Sequence, residues 1–292
     1  MGMFFYSVVG TLSRNLPAIL EHNVAGRLRL GDFVLSLFLF SSGMSLAIVR
    51  SRYETLWRLS LWRNVAKRLG LMLFASAIIT PFSTGTFGGM DEVMLNAALT
   101  IPTLLLASAS VTTNIVVIVS IALLYYTLPY LGVTIPPSVE YLGGYKGAIF
   151  FLPVVVAGTL VCYSWRERAL RHTYMWALAT VVTWALLGAP DKLLLTPSFM
   201  ALSCLLGSLT LYSLGRFSIG NSWMEYCGRH SLRMWCLMFV LIAPLRLYAE
   251  TKLHARQLDC EPWAAVAIAL LWMGISYGFS QGWDHLGNLG RR

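Results

Sequence analysis

The stretch that decides the fold is Gly31-Asp32-Phe33-Val34-Leu35-Ser36-Leu37-Phe38-Leu39-Phe40-Ser41-Ser42-Gly43-Met44-Ser45-Leu46-Ala47-Ile48-Val49-Arg50. Between Asp32 and Arg50 no side chain carries a charge. A helix needs roughly 20 predominantly apolar residues to cross a bilayer, and this run is of that order. Runs of the same kind recur on both sides of it. Spans are expected at 3–20, 32–49, 69–87, 92–109, 112–134, 147–164, 173–189, 194–215, 230–249 and 262–283. About ten spans of this length occupy about 200 residues, so little of the 292-residue chain is left for a separate soluble domain. We see no internal repeat of the kind that builds many transporters.

Composition agrees. Hydrophobic residues make up 57% and charged residues 12%, against about 25% charged in a soluble domain. A water-soluble globular protein and a disordered chain are both excluded on this ground. The formal net charge is +9. The basic residues sit in short connections between apolar runs, which is a mark of membrane topology and anionic headgroups rather than of nucleic acid. The cysteines, Cys162, Cys204, Cys227, Cys236 and Cys260, are odd in number and form no CxxC pair. Neither a disulfide framework nor a metal cage is expected from them. The N-terminus lacks the basic start and clean apolar core of a cleavable signal peptide.

Loop charges give the orientation. Residues 50–68 hold Arg50, Arg52, Arg58, Arg63, Lys67 and Arg68 against a single acid, Glu54, so this loop is expected in the cytoplasm. Alternating from there places both termini inside. Basic residues then concentrate on the inner side, and the outer side carries more acids than bases. Within this loop, Tyr53–Arg68 reads as an amphipathic helix resting on headgroups, or as a basic mouth for a phosphorylated cytoplasmic ligand. The two readings are compatible.

Ionisable groups at membrane depth are costly and default to functional hypotheses. The densest cluster is Arg14, Asn15, Glu21, His22 and Asp32. His22 lies just beyond the first span and Asp32 opens the second, both on the outer side. A short loop can bring those ends together. A carboxylate beside an imidazole fixes its tautomer and stabilises the imidazolium, which makes a base. Asp at a helix start is also an ordinary cap. Asp91 and Glu92 read as caps or as acceptor contacts. Asn96 and Asn114 read as bonds between helices or as lining of a substrate path. His230, beside Arg229 and Ser231, reads as a cap or headgroup contact, with catalysis as the alternative. Gly43, Gly158 and Gly207 read as sites of close helix packing.

The block Pro17-Ala-Ile-Leu-Glu-His22, Gly26 and Gly31-Asp32 through Phe38, Phe40 and Gly43 resembles the heparan-α-glucosaminide N-acetyltransferase-like transmembrane acyltransferases. In that family a His at the outer end of the first core span is followed ten residues later by an Asp, then by a Phe-rich span and a Gly. Ser36 stands where the family has a proline. Ala66-Lys-Arg68-Leu-Gly-Leu, Gly147-Ala-Ile-Phe-Phe-Leu-Pro153 with Gly158, and Cys227-Gly-Arg-His-Ser-Leu232 are similar to later family elements.

The resemblance implies a donor, acetyl-CoA or another acyl-CoA, on the cytoplasmic side. Its phosphates would be met by Arg63, Lys67, Arg68, Arg166, Arg168, Arg171 and Arg229. His22 would act as general base or acyl carrier, with Asp32 orienting it. Arg14, Asn15, Glu21 and Asn96 would face a sugar or glycan acceptor on the outer side. No metal is implied.

The expected fold is therefore all-α, a single polytopic bundle of about ten transmembrane helices over residues 1–292, with both termini cytoplasmic. The expected location is a bacterial-type inner membrane. Expected partners are membrane lipids, the glycan or sugar acceptor and a second copy in a homodimer, with no nucleic acid. The alternatives to an acyltransferase are a small-solute transporter, in which Arg14, His22 and Asp32 form a relay, and a non-catalytic subunit of a membrane complex.

Overall fold

A computed structural model describes residues 2–13, 16, 28–53, 55–84, 91–133, 144–192, 194–216, 222–252 and 258–289. Among these the secondary structure is helical, with no strand. The helices are α1 (Gly2–Leu12), α2 (Val34–Ser51), α3 (Leu59–Thr84), α4 (Glu92–Leu106), α5 (Val111–Thr127), α6 (Gly144–Leu187), α7 (Pro197–Arg216), α8 (Ser222–Arg229), α9 (Ser231–Lys252) and α10 (Pro262–Leu289). Four segments are long and apolar enough to cross a membrane: Gly31–Ser51, Pro197–Arg216, Ser231–Ala249 and Pro262–Leu286. Shorter apolar helices cover Glu92–Leu106, Val111–Thr127 and Gly147–Cys162. The chain divides into two compact units, one holding α2–α7 and the other α1 and α8–α10.

In the larger unit α2 lies against α4, α6 and α7. Two glycines let α2 and α6 touch backbone to backbone. A Cβ at Gly43 would lie 1.9 Å from the Val155 carbonyl oxygen, and one at Gly158 would lie 2.1 Å from that of Phe40. Gly207 on α7 faces the Phe40 ring, which a Cβ would meet at 2.8 Å. These are the close approaches expected from the sequence, and they follow the small-residue rule of helices packed in lipid.

The helix starts have ordinary causes. The Asp91 side chain accepts from Met94 N at 2.6 Å and caps α4. Ser110 does the same for α5, accepting from Thr113 N at 3.0 Å. Both satisfy backbone donors that a helix start leaves open.

Two expected spans, 147–164 and 173–189, fall within the single helix α6. Its 44 residues would stretch about 66 Å if straight. Yet the Phe150 ring packs edge-on against Tyr125 at 5.5 Å, and the neighbouring Tyr126 donates to the Leu187 carbonyl at 3.1 Å. The chain therefore reverses within α6, and its two arms return to the same neighbours. The two expected segments are thus the arms of one folded helix, of which Gly147–Cys162 is a shorter apolar stretch.

Tyr53–Arg68 differs from its sequence reading. Residues 52–58 are not helical where they are described, and α3 begins at Leu59 and runs on into the apolar segment. Leu61 and Val65 are buried against Leu104 of α4, with Tyr53 and Trp62 packed around them. This start of α3 is thus held by protein contacts. Trp57 and Leu59 remain open, at 89% and 82% exposure.

The smaller unit is built on α1, α9 and α10. Val8 and Val9 of α1 are fully buried. The carbonyls of Thr11 and Leu12, which the end of α1 leaves without helical partners, accept from Leu258 N and Cys260 N, each at 3.0 Å. The outer faces of both units carry large exposed apolar side chains, among them Val182, Leu186, Leu271 and Phe279. Exposed apolar side chains in such number suit a surface that meets lipid or another protein.

Candidate functional site

Asp32 sits in a 3₁₀ turn, Leu30–Phe33, that leads into α2. Its side chain is 1% exposed. Lys192 lies in the connection between α6 and α7, and its Nζ donates to Asp32 Oδ1 at 3.3 Å. The two residues are 160 positions apart in the chain. An ion pair this deep is kept only where something holds its geometry, because desolvation of each partner opposes it. Burial pushes the Lys192 ammonium below its ordinary value, while Asp32 and then Glu92 pull it back up.

The connection that carries Lys192 is tightly braced. Gly188 and Leu195 both have left-handed backbones, with φ of 94° and 53°. Gly adopts this at no cost, and a leucine does so only where its surroundings impose it. Asp191 N donates to Thr196 Oγ1 at 2.9 Å, Leu194 N donates to Asp191 Oδ1 at 3.2 Å, and Ser198 Oγ donates to the Gly188 carbonyl at 2.8 Å. Phe33, next to Asp32, stacks on Phe199 of α7 with ring centroids 5.5 Å apart. The turn before α2 and the start of α7 are thereby locked together beside the pair.

Polar groups continue inward from Asp32. Ser36, one turn further along α2, and Ser203 on α7 are buried, and their hydroxyls have no hydrogen-bond partner among the described residues. Deeper still, Ser42 Oγ donates to Asn96 Oδ1 of α4 at 2.7 Å. Ser76 of α3 donates to Asp91, with both carboxylate oxygens at 3.0 Å. Asn96 is therefore engaged in the bond between helices that its sequence position allowed. Asn114 is buried, but its Oδ1 has no such bond among the described residues.

Arg14, Asn15, Glu21 and His22 lie outside the described residues, as do the side chains of Arg166 and Arg168. The other expected phosphate contacts are dispersed. Arg63 and Lys67 are exposed and Arg68 half-buried at the start of α3, which packs chiefly on α4, and Arg171 is exposed on α6. Arg229 forms an ion pair with Glu225 one turn before it.

A second polar cluster lies in the smaller unit. Asp284 of α10 accepts from Tyr226 Oη of α8 at 2.7 Å and from Arg233 of α9 at 2.7 Å. His230 Nε2 is 3.4 Å from the same carboxylate, and its ring lies 4.4 Å from that of Tyr226. Arg233 also donates to the Ser280 carbonyl at 3.1 Å. Burial and the Asp284 acceptor raise the Tyr226 phenol. The sequence reading of His230 as a cap missed this network. The spacing of Tyr277, Ser280 and Asp284 on one helical face was the available signal. Lys192 was missed too, and a lysine beside Asp191 in a short connection was the only sign of it.

No protein-family model matches the chain, and no curated protein and no solved structure matches it.

Proposed function

We propose that this chain is an integral membrane acyltransferase that moves an acyl group, acetyl in the simplest case, from cytoplasmic acyl-CoA to a sugar or glycan on the outer side. The observation that carries the reading is Asp32. It is the carboxylate that the family resemblance singles out, and it is held 1% exposed against Lys192 among apolar helices. A charge kept at such depth is expensive and is retained for use. In this reading His22 takes the proton of the acceptor hydroxyl or amine as that atom attacks the thioester carbonyl. The carbon–sulfur bond breaks and the proton passes to the departing CoA thiolate. Asp32 orients the imidazole, and Lys192 balances the Asp32 charge. The exposed cations Arg63, Lys67 and Arg171 are the ones free in position to meet CoA phosphates.

The finer topology belongs to the same proposal: ten spans, both termini cytoplasmic, in a bacterial inner membrane. Its support is that ends assigned to one side meet. Asp32 meets Lys192, Arg50 donates to Ser108, and Arg233 meets Asp284.

The test is acetyl-CoA binding and turnover by the purified protein beside His22→Ala and Asp32→Asn. Slow CoA release or acyl labelling of the wild type, lost in His22→Ala, supports the reading. Folded proteins that all fail to bind CoA overturn it. A second reading then takes over, favoured by the buried Asp32–Lys192 pair itself: a relay in a proton-coupled solute transporter. Flux into proteoliposomes, abolished by Asp32→Asn, is its signature.

A further inference from the structure

The larger unit contains a cavity of about 300 Å³ between α5, the two arms of α6 and the start of α7. Its walls include Ile118, Phe150, Trp176, Ala179, Leu187 and Met200, and its surface is almost wholly apolar. Trp176 and Leu187 stand eleven residues apart on one helical arm, both on the cavity wall. That separation is about 17 Å along a helix, close to the roughly 15 Å depth of one leaflet's hydrocarbon. Two wall residues of α5, Val119 and Leu123, are also strongly exposed on the outside of the bundle, at 50% and 62%. On the facing arm of α6, Val182 and Leu186 are exposed as well. The mouth of the cavity thus opens through an apolar belt. Trp176 contributes to this lining while only 6% exposed.

We propose that this cavity is a binding site for one acyl chain of a membrane lipid, entered sideways from the bilayer. The proposal rests on the membrane reading of the chain and not on acyl transfer. A polar or charged ligand is excluded by the walls, which could not satisfy it. A hydrocarbon chain matches their length and chemistry. The site also touches the candidate centre. Leu195, the strained residue three positions after Lys192, forms part of the wall. A chain in the cavity therefore packs against the connection that positions Lys192.

The test uses the full chain in nanodiscs of phosphatidylcholine doped with a phosphatidylcholine that carries a photoreactive diazirine on its acyl chain. Crosslinks are mapped by mass spectrometry. The cavity residues Ala179, Met200 and Ala201 are expected to label more strongly than Leu271, an exposed apolar residue of α10 that samples bulk lipid. Ala179→Phe fills the space and should cut cavity labelling roughly tenfold, a loss of about 1.4 kcal/mol in occupancy, with Leu271 unchanged. Ala201→Leu does the same from the opposite wall should Ala179→Phe not fold. Cavity labelling no stronger than at Leu271, or indifferent to both substitutions, overturns the site. Labelling absent at Leu271 too overturns the membrane reading along with it.

Discussion

The two units make their acid–base contacts in opposite settings. In the larger unit Asp32 and Lys192 are removed from water, at 1% and 10% side-chain exposure, whereas Asp284, His230 and Arg233 in the smaller unit are each near 30%. The helices follow the same division. Over half of the Gly31–Ser51 window is buried, at 56%, against 28% for Pro262–Leu286. Similar groups at similar distances therefore have different consequences. In the first setting the surroundings cannot replace a lost partner, and in the second water can.

The largest effect expected from this contrast is on the buried pair. Asp32→Leu or Lys192→Met alone leaves an uncompensated buried charge and should cost about 3–5 kcal/mol. The double variant should recover most of that loss, because two apolar side chains replace the pair. Thermal unfolding in detergent, run on both single variants and the double, measures the coupling. Additive losses would show that the pair is not a unit.

Next comes the backbone. Gly43→Ala drives a methyl into the Val155 carbonyl and should destabilise by about 1–3 kcal/mol. Gly274→Ala and Gly278→Ala on α10 meet open space, and should be neutral or stabilising by up to about 1 kcal/mol. Equal melting shifts in the two units would erase the distinction.

A smaller effect is a pH slope. Burial holds Lys192 below its ordinary 10.5. Between the folded and ordinary values the unfolded chain binds more protons than the folded one, so stability rises with pH across that window. The Asp32→Leu, Lys192→Met double variant should flatten this rise in alkaline melting curves. The smallest change is expected from Asp284→Asn, whose partners stay hydrated: a slight melting shift that added salt removes.

Much of the fold was legible because a bilayer imposes it locally. Apolar runs of the right length need only their own residues to be recognised. The close packing at Gly43, Gly158 and Gly207, the Asp91 cap and the Asn96 bond between helices followed from residue type and position alone. The site was less legible. Nothing in the local pattern joins Asp32 to Lys192, because their meeting depends on α2, α6 and α7 packing around one another. The cluster on Asp284 escaped for a related reason, as Tyr226, Arg233 and Asp284 come from three different helices. The two apolar runs of α6 were legible as separate segments, but not their union in one continuous helix.

That fold-back also bears on how the chain is made. The tip joining its arms carries Arg166, Arg168, Arg171 and His172 in sequence. Drawing an arginine to the bilayer centre costs about 2.5–3.5 kcal/mol on insertion scales, so the tip resists translocation. If both arms cross the bilayer, they enter it as a hairpin hung from one side. Because α5 and α7 dock onto those arms, the hairpin is a template against which neighbours synthesised before and after it can find their places. Removing the three arginines would loosen the order of assembly while leaving the packed product intact.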